Sequence, residues 1–155
     1  MSRKLESWKA RKPKESYFQL SESLRTSPAF RALTKLQTDL YFFCTEWTYK
    51  AGKRAASYAD PKKYPRDRWT EGGDIRGNDF YINIDKAIKC NLIEKKKNKN
   101  TLYRAINALV EYGLIDRVFS NKGRDMSVYR MSERWKGITD EKAEQIQKVL
   151  KERNK

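Results

Sequence analysis

The most regular pattern of apolar and polar positions lies between residues 95 and 114. Apolar side chains recur there at spacings of three and four, the period of one helix face; they are Leu102, Ala105, Ile106, Leu109 and Val110. The pattern predicts a helix over about 100–113, with Asn100 as its N-cap and Gly113 as the residue that ends it. The opposite face is polar and carries Thr101, Arg104 and Asn107, with Tyr103 at its edge.

Two helical patterns precede this one. Ser27 and Pro28 start a short helix, because serine is a good cap and proline fits the first helical position. Thr34 and Gln37 have the spacing of a capping box, and the helix they open is predicted to run to about Lys50. Its core face is predicted at Leu36, Leu40, Phe43 and Trp47, with Tyr41 and Cys44 beside them.

Two stretches show neither a helical nor a strand period. Residues 1–16 are polar and basic, and are predicted to form a flexible arm. Residues 53–79 contain glycines and prolines among mixed charges, and predict a loop inserted into the domain. A loop of that length inside a compact domain is usually functional or disordered.

The remaining patterns flank the central helix. Phe80–Asn83 is predicted to be a short strand, followed by a helix that ends near Asn91. Residues 114–119 are predicted to be a strand, and after a turn an alternating pattern predicts a second strand at 126–131. The order strand–helix–turn–helix–strand–turn–strand predicts a winged helix-turn-helix of the α+β class, mainly α-helical, over 17–136 with a wing at 114–132.

A last helix is predicted from Asp140 to about Arg153, within the C-terminal segment 137–155. One side of it carries Ala143, Ile146, Val149 and Leu150. This stripe is too short for a coiled coil by itself. It either packs back on the domain or pairs with its copy in a dimer.

The charge balance points to a polyanionic partner. The chain has 155 residues, with 35 Lys+Arg against 20 Asp+Glu and a net charge of +15. Nucleic acid is the first expectation for clustered charge of this size, and an acidic membrane surface is the second. No apolar run is long enough to span a membrane and the N-terminus has no apolar signal region, so a cytoplasmic location is expected.

The chain has no histidine and two cysteines, which narrows the available chemistry. Histidine general bases, Ser-His-Asp and Cys-His arrangements and Cys₂His₂ zinc sites are excluded. Cys44 and Cys90 fall in apolar helical patterns and are predicted to be reduced core residues. No cofactor is expected.

A family resemblance is carried by the run Asn98–Ile115, NKNTLYRAINALVEYGLI. It resembles the recognition helix and first wing strand of winged helix-turn-helix DNA-binding proteins of bacterial plasmids, phages and conjugative elements. Those proteins include replication initiators, segregation adaptors and transcription regulators. The resemblance implies a non-enzymatic protein, expected to be a homodimer, that binds double-stranded DNA in a sequence-specific manner.

The same resemblance implies roles for individual residues. Thr101, Tyr103, Arg104 and Asn107 would face the major groove, where Arg104 could bridge guanine and Asn107 could bridge adenine. The polar turn and the wing tip would bind the phosphate backbone or an adjacent minor groove. The predicted DNA-binding set is completed by Lys95, Lys96, Lys97, Asn98, Lys99, Asn100, Lys122 and Arg124.

Two other classes compete with this prediction. A metal-dependent nicking enzyme would need carboxylates on rigid elements, whereas Asp67, Glu71, Asp74 and Asp79 fall in the inserted loop and are predicted to be solvated charges. A winged helix that binds RNA or docks on a protein is the second alternative.

Overall fold

The structure is a computed structural model that describes residues 20–50, 79–82, 84–95, 98–120 and 127–155. The predicted arm, most of the inserted loop and the predicted wing tip lie outside these residues. The chain is α+β and mainly helical, with one three-stranded antiparallel sheet. Its elements are α1 Glu22–Arg25, α2 Pro28–Arg31, α3 Lys35–Lys50, β1 Phe80–Tyr81, α4 Ile84–Lys89, α5 Lys99–Glu111, β2 Ile115–Phe119, β3 Val128–Met131, a 3₁₀-helix Arg134–Gly137 and α6 Asp140–Arg153.

The predicted helix starts near residues 27 and 34 are confirmed. Ser27 accepts a hydrogen bond from the Phe30 backbone N–H at 3.2 Å, with Pro28 in the first turn. The capping box is reciprocal, because Gln37 donates its N–H to Thr34 Oγ1 at 3.4 Å and accepts the Thr34 N–H at 3.0 Å. These bonds satisfy N–H groups that a helix start otherwise leaves without partners.

The core face of α3 differs from the predicted one. Leu40, Tyr41 and Cys44 are buried, whereas Leu36 and Phe43 are only half-buried, and the Trp47 side chain lies outside the described set. The buried side is shifted towards Tyr41 because the Tyr41 ring packs edge-on against Phe30 of α2, at 5.7 Å between ring centres, while α3 also packs on α5, β1 and β3. Burial raises the pKa of Tyr41 to about 12 and raises that of the Cys44 thiol well above its usual value, so both stay protonated.

Both helices around the lysine-rich turn end in the same way. Asn91 has a φ of 56° and Gly113 a φ of 70°, the left-handed conformation expected just past a helix end. The following residues, Leu92 and Leu114, return their N–H groups to Ala87 and Leu109, each at 2.9–3.0 Å. Gly113 therefore ends α5 as predicted. Asn91, in the same left-handed conformation, ends α4.

The strand order in the sheet is β1-β3-β2, with both pairs antiparallel. The three strands are those predicted, but each is shorter than predicted. Only residues that pair with a neighbouring strand belong to the sheet. A bulge between Arg117 and Phe119 shifts the register of β2 against β3. Two successive residues, Val118 and Phe119, are buried with Val128 in a small second cluster as a result.

A buried ion pair fixes β1 to β3. Asp79 is 0% exposed, and Arg130 donates to its two carboxylate oxygens at 2.8 and 2.9 Å. This hydrogen bonding is the main reason that the pKa of Arg130 is raised. The expectation that Asp79 is a solvated loop charge is therefore wrong: the domain's core begins again one residue before β1.

The C-terminal helix packs back on the domain. Ala143 is buried, and Ile146 and Leu150 are half-buried against the main core. Arg31–Asp140 and Arg153–Glu111 ion pairs fix its two ends, at 2.8 and 2.9 Å. Val149, predicted to belong to the apolar stripe, is 42% exposed, because it lies at the edge of that stripe. The homodimer stays a prediction.

Two further sequence predictions concern cysteines and membranes. Cys44 is buried, Cys90 is half-buried, and the two do not form a disulfide. Within the described ranges, no helix combines the length and the apolar composition needed to cross a membrane.

Candidate nucleic-acid interface

Helix α5 has one buried side and one exposed side. Its buried residues are Leu102, Ala105, Ile106, Ala108 and Leu109, which include four of the five predicted core positions; Val110 is half-buried. Asn100, Thr101, Arg104 and Asn107 are exposed, and Tyr103 is 40% exposed. The polar side chains singled out in the sequence therefore lie together on the solvent-facing side of this 13-residue helix.

The start of α5 is displaced from the predicted one. The helix begins at Lys99, and Asn98 rather than Asn100 holds the N-cap position. Asn98 makes no capping bond through its side chain, because its φ of −86° and ψ of 15° are close to helical rather than extended. Asn100 thus lies inside the first turn with its amide exposed, so the exposed surface begins there.

Two buried residues anchor the turn before α5 to the core. Leu92 and Ile93 are buried, while Lys95 and Lys99 are exposed above them. The Lys99 ammonium lies 5.6 Å from the centre of the Tyr103 ring, close enough for a cation–π contact. Four of the predicted phosphate contacts, Lys96, Lys97, Lys122 and Arg124, lie outside the described residues.

A residue that the sequence analysis did not single out holds one side of this surface. Arg117, on β2, donates to Asn107 Oδ1 at 2.7 Å, and its guanidinium lies 5.8 Å from the centre of the Tyr129 ring. Burial raises the pKa of the Tyr129 hydroxyl, and nearby Arg117 partly opposes that rise. The Asn107 amide still has its NH₂ group and a second oxygen lone pair for a ligand.

Arg134 joins the far end of α5 to the sheet. It bonds Asp116 at 2.6 Å and donates to the Val110 and Ile115 carbonyl oxygens at 3.0 and 3.3 Å. The Trp135 N–H also donates to the Gly113 carbonyl oxygen at 3.1 Å. These bonds fix the direction in which α5 presents its exposed side.

The other flank of α5 borders the C-terminal helix. A cleft of about 160 Å³ separates α5 from the start of α3 and the end of α6. Thr101 and Arg104 line it from α5, and Leu150 and Asn154 from the C-terminal segment. The exposed side of α5 is thus bounded by β2 on one flank and by the end of α6 on the other.

Carboxylates and cysteines do not gather into a metal site in the part of the chain that is described. No group of three or more potential ligands is found there. Asp79 is committed to Arg130, and Asp67, Glu71 and Asp74 lie outside the described residues.

A scan against protein-family models and searches of curated proteins and of solved structures found no match to this chain.

Proposed function

We propose that the protein is a winged helix-turn-helix protein that binds double-stranded DNA in a sequence-specific manner. The observation that carries the proposal is the exposed polar side of α5. Arg104 and Asn107 lie there outside the core, opposite a fully apolar side and beside the sheet. A rigid helix of this kind, about 20 Å long at 1.5 Å per residue, fits a major groove about 12 Å wide.

The arrangement of the elements supports the proposal. The observed order β1–α4–turn–α5–β2–β3 is the order expected for a winged helix-turn-helix, with α5 as the recognition helix. The strands β2 and β3 pair next to that helix and form the base of the wing. Buried contacts on both sides of the lysine-rich turn hold α4 and α5 in a fixed relation.

The exposed side chains have suitable chemistry for reading bases. An arginine can donate two hydrogen bonds to guanine O6 and N7, and an asparagine amide can bond adenine N6 and N7. Arg117 restricts the rotation of the Asn107 amide, so less side-chain entropy is lost when Asn107 binds a base. Lys95 and Lys99 at the start of α5 are placed to neutralise phosphates.

Binding is expected to depend steeply on salt. If about six phosphates are neutralised, log K should fall with log salt concentration with a slope near −5. Fluorescence anisotropy of a labelled duplex, titrated between about 50 and 200 mM salt, measures this slope. A flat profile contradicts the proposal, and displacement of the probe by single-stranded RNA but not by duplex DNA favours the RNA-binding alternative.

Substitution of a base-contacting residue and substitution of a phosphate-contacting residue are expected to have different effects on DNA binding. Arg104→Ala should cost about 1–3 kcal/mol on the preferred sequence and change the base preference, because it removes a base contact. Lys95→Ala should weaken binding to all duplexes alike, because it removes a phosphate contact. Random-site selection followed by affinity measurements on selected and scrambled duplexes tests both. Equal losses on both duplexes for both variants would contradict the assignment.

A further inference from the structure

The end of the C-terminal helix lies against the exposed surface of α5, and the sequence analysis gave it no binding role. Arg153 pairs with Glu111 at 2.9 Å, and this pair ties the last turn of α6 to the last turn of α5. Leu150 and Asn154 share a cleft with Thr101 and Arg104. Arg104, the proposed guanine reader, therefore lines the same cleft as the end of α6.

The helical period places two lysines on one flank of α6, and a third lysine follows the end of the helix. Counting about 100° per residue from the inward-facing Leu150, the C-cap residue Asn154 lies about 40° to one side, and Lys151 and Lys148 lie further round on that side at about 100° and 160°. Lys155 directly follows Asn154. Arg153 lies about 60° to the other side. The lysine flank, made of Lys148 and Lys151 with Lys155 after them, is thus on the side of Asn154, which lines the cleft shared with Thr101 and Arg104.

These three lysines are exposed and form no ion pair with any described residue. Arg153, which is also in the last turn of α6, differs from these lysines because it forms an ion pair with Glu111 on α5. These positive charges at the end of α6, which shares a cleft with Arg104, are opposite in sign to the phosphate backbone that would border α5 in a major groove.

We propose that Lys148, Lys151 and Lys155 bind backbone phosphates of the same duplex that α5 reads, on the flank of α5 opposite β2. This inference rests on the proposed function. The C-terminal helix then contacts the DNA backbone on one side of α5, and the wing contacts it on the other side. Because these contacts go to phosphates, they add affinity for every sequence and no base preference.

The competing explanation is that basic residues in a last helical turn only stabilise the helix dipole. The double variant K151Q/K155Q separates the two explanations. Its matched control is R25Q/K142Q, which removes the same charge from exposed cations that form no ion pair with described residues, on α1 and in the first turns of α6. Thermal unfolding of both variants checks that each is folded. Lys155 follows the end of α6, so the single variant K155Q leaves the helix itself unchanged.

The salt slope on a duplex is the deciding measurement. K151Q/K155Q should bind both specific and random duplexes more weakly, with a slope about two units less steep than that of the unsubstituted protein. The loss of affinity between 50 and 200 mM salt should accordingly shrink about tenfold. The control should keep the original slope.

Other outcomes overturn one claim or both. Equal slopes for the two double variants would exclude the lysine flank as a phosphate contact, while the proposed function would stand if Arg104→Ala still changed base preference. Absence of salt-dependent duplex binding by the unsubstituted protein would overturn the proposed function, and this inference with it.

Discussion

Replacing Arg130 with methionine is expected to lower the free energy of unfolding by about 3–5 kcal/mol. The Asp79 carboxylate is fully buried, and Arg130 bonds both of its oxygens. Without the guanidinium, a desolvated negative charge loses its bidentate cation. Urea unfolding followed by circular dichroism measures the change.

An exposed ion pair of the same length provides the control. Arg31 and Asp140 are also 2.8 Å apart, but their side chains are 58% and 78% exposed. Arg31→Met should therefore cost less than about 1 kcal/mol. Adding Asp79→Asn to Arg130→Met should recover part of the loss, because it removes the buried charge. Equal losses for Arg130→Met and Arg31→Met would show that the buried pair is not stabilising.

Gly113→Ala is expected to destabilise the protein by about 2–5 kcal/mol. Gly113 has a φ of 70°, which is unfavourable for alanine. A Cβ there would lie 2.8 Å from both the Arg134 Cβ and the Trp135 backbone nitrogen. The 3₁₀-helix would have to move away, and the bonds by which Arg134 and Trp135 fix α5 to the sheet would be disturbed. Thermal unfolding measures the stability, and duplex affinity should fall in parallel.

Gly137 is the matched control for this substitution. A Cβ added at Gly137 would have no neighbour within 4 Å, and its φ is not positive. Gly137→Ala should change stability by less than about 1 kcal/mol, in the stabilising direction, because alanine restricts the unfolded chain. If both substitutions had the same small effect, the close contact at Gly113 would not limit the position of the 3₁₀-helix.

Local signals in the sequence predicted most of the secondary structure. The capping box at Thr34, the cap at Ser27 and the glycine at position 113 act through neighbouring backbone groups, so their effect does not depend on the rest of the fold. The apolar stripe of α5 likewise predicted which side chains face solvent. The N-cap of α5 was placed two residues late, because a 3₁₀ turn at Asn98 extends the helix without a side-chain cap.

Contacts between segments far apart in the chain could not be predicted from the sequence. Asp79 and Arg130 are 51 residues apart, and nothing near Asp79 in the chain distinguishes it from the other charges of the inserted loop. Nothing in the sequence around Arg117 distinguishes it from other polar strand residues. Only the folded structure shows that it contacts Asn107 and Tyr129. The apolar stripe of α6 fitted two kinds of packing, and the described fold shows that it packs on its own domain.

The sequence alone determined where most of the helices and strands lie and which side of α5 is polar, because spacing and capping are local properties of the chain. The tertiary structure alone decided what borders that polar side: Arg117 on one flank and the end of α6, with its lysines, on the other. Such neighbours arise from packing between segments far apart in the chain, and no local pattern encodes them.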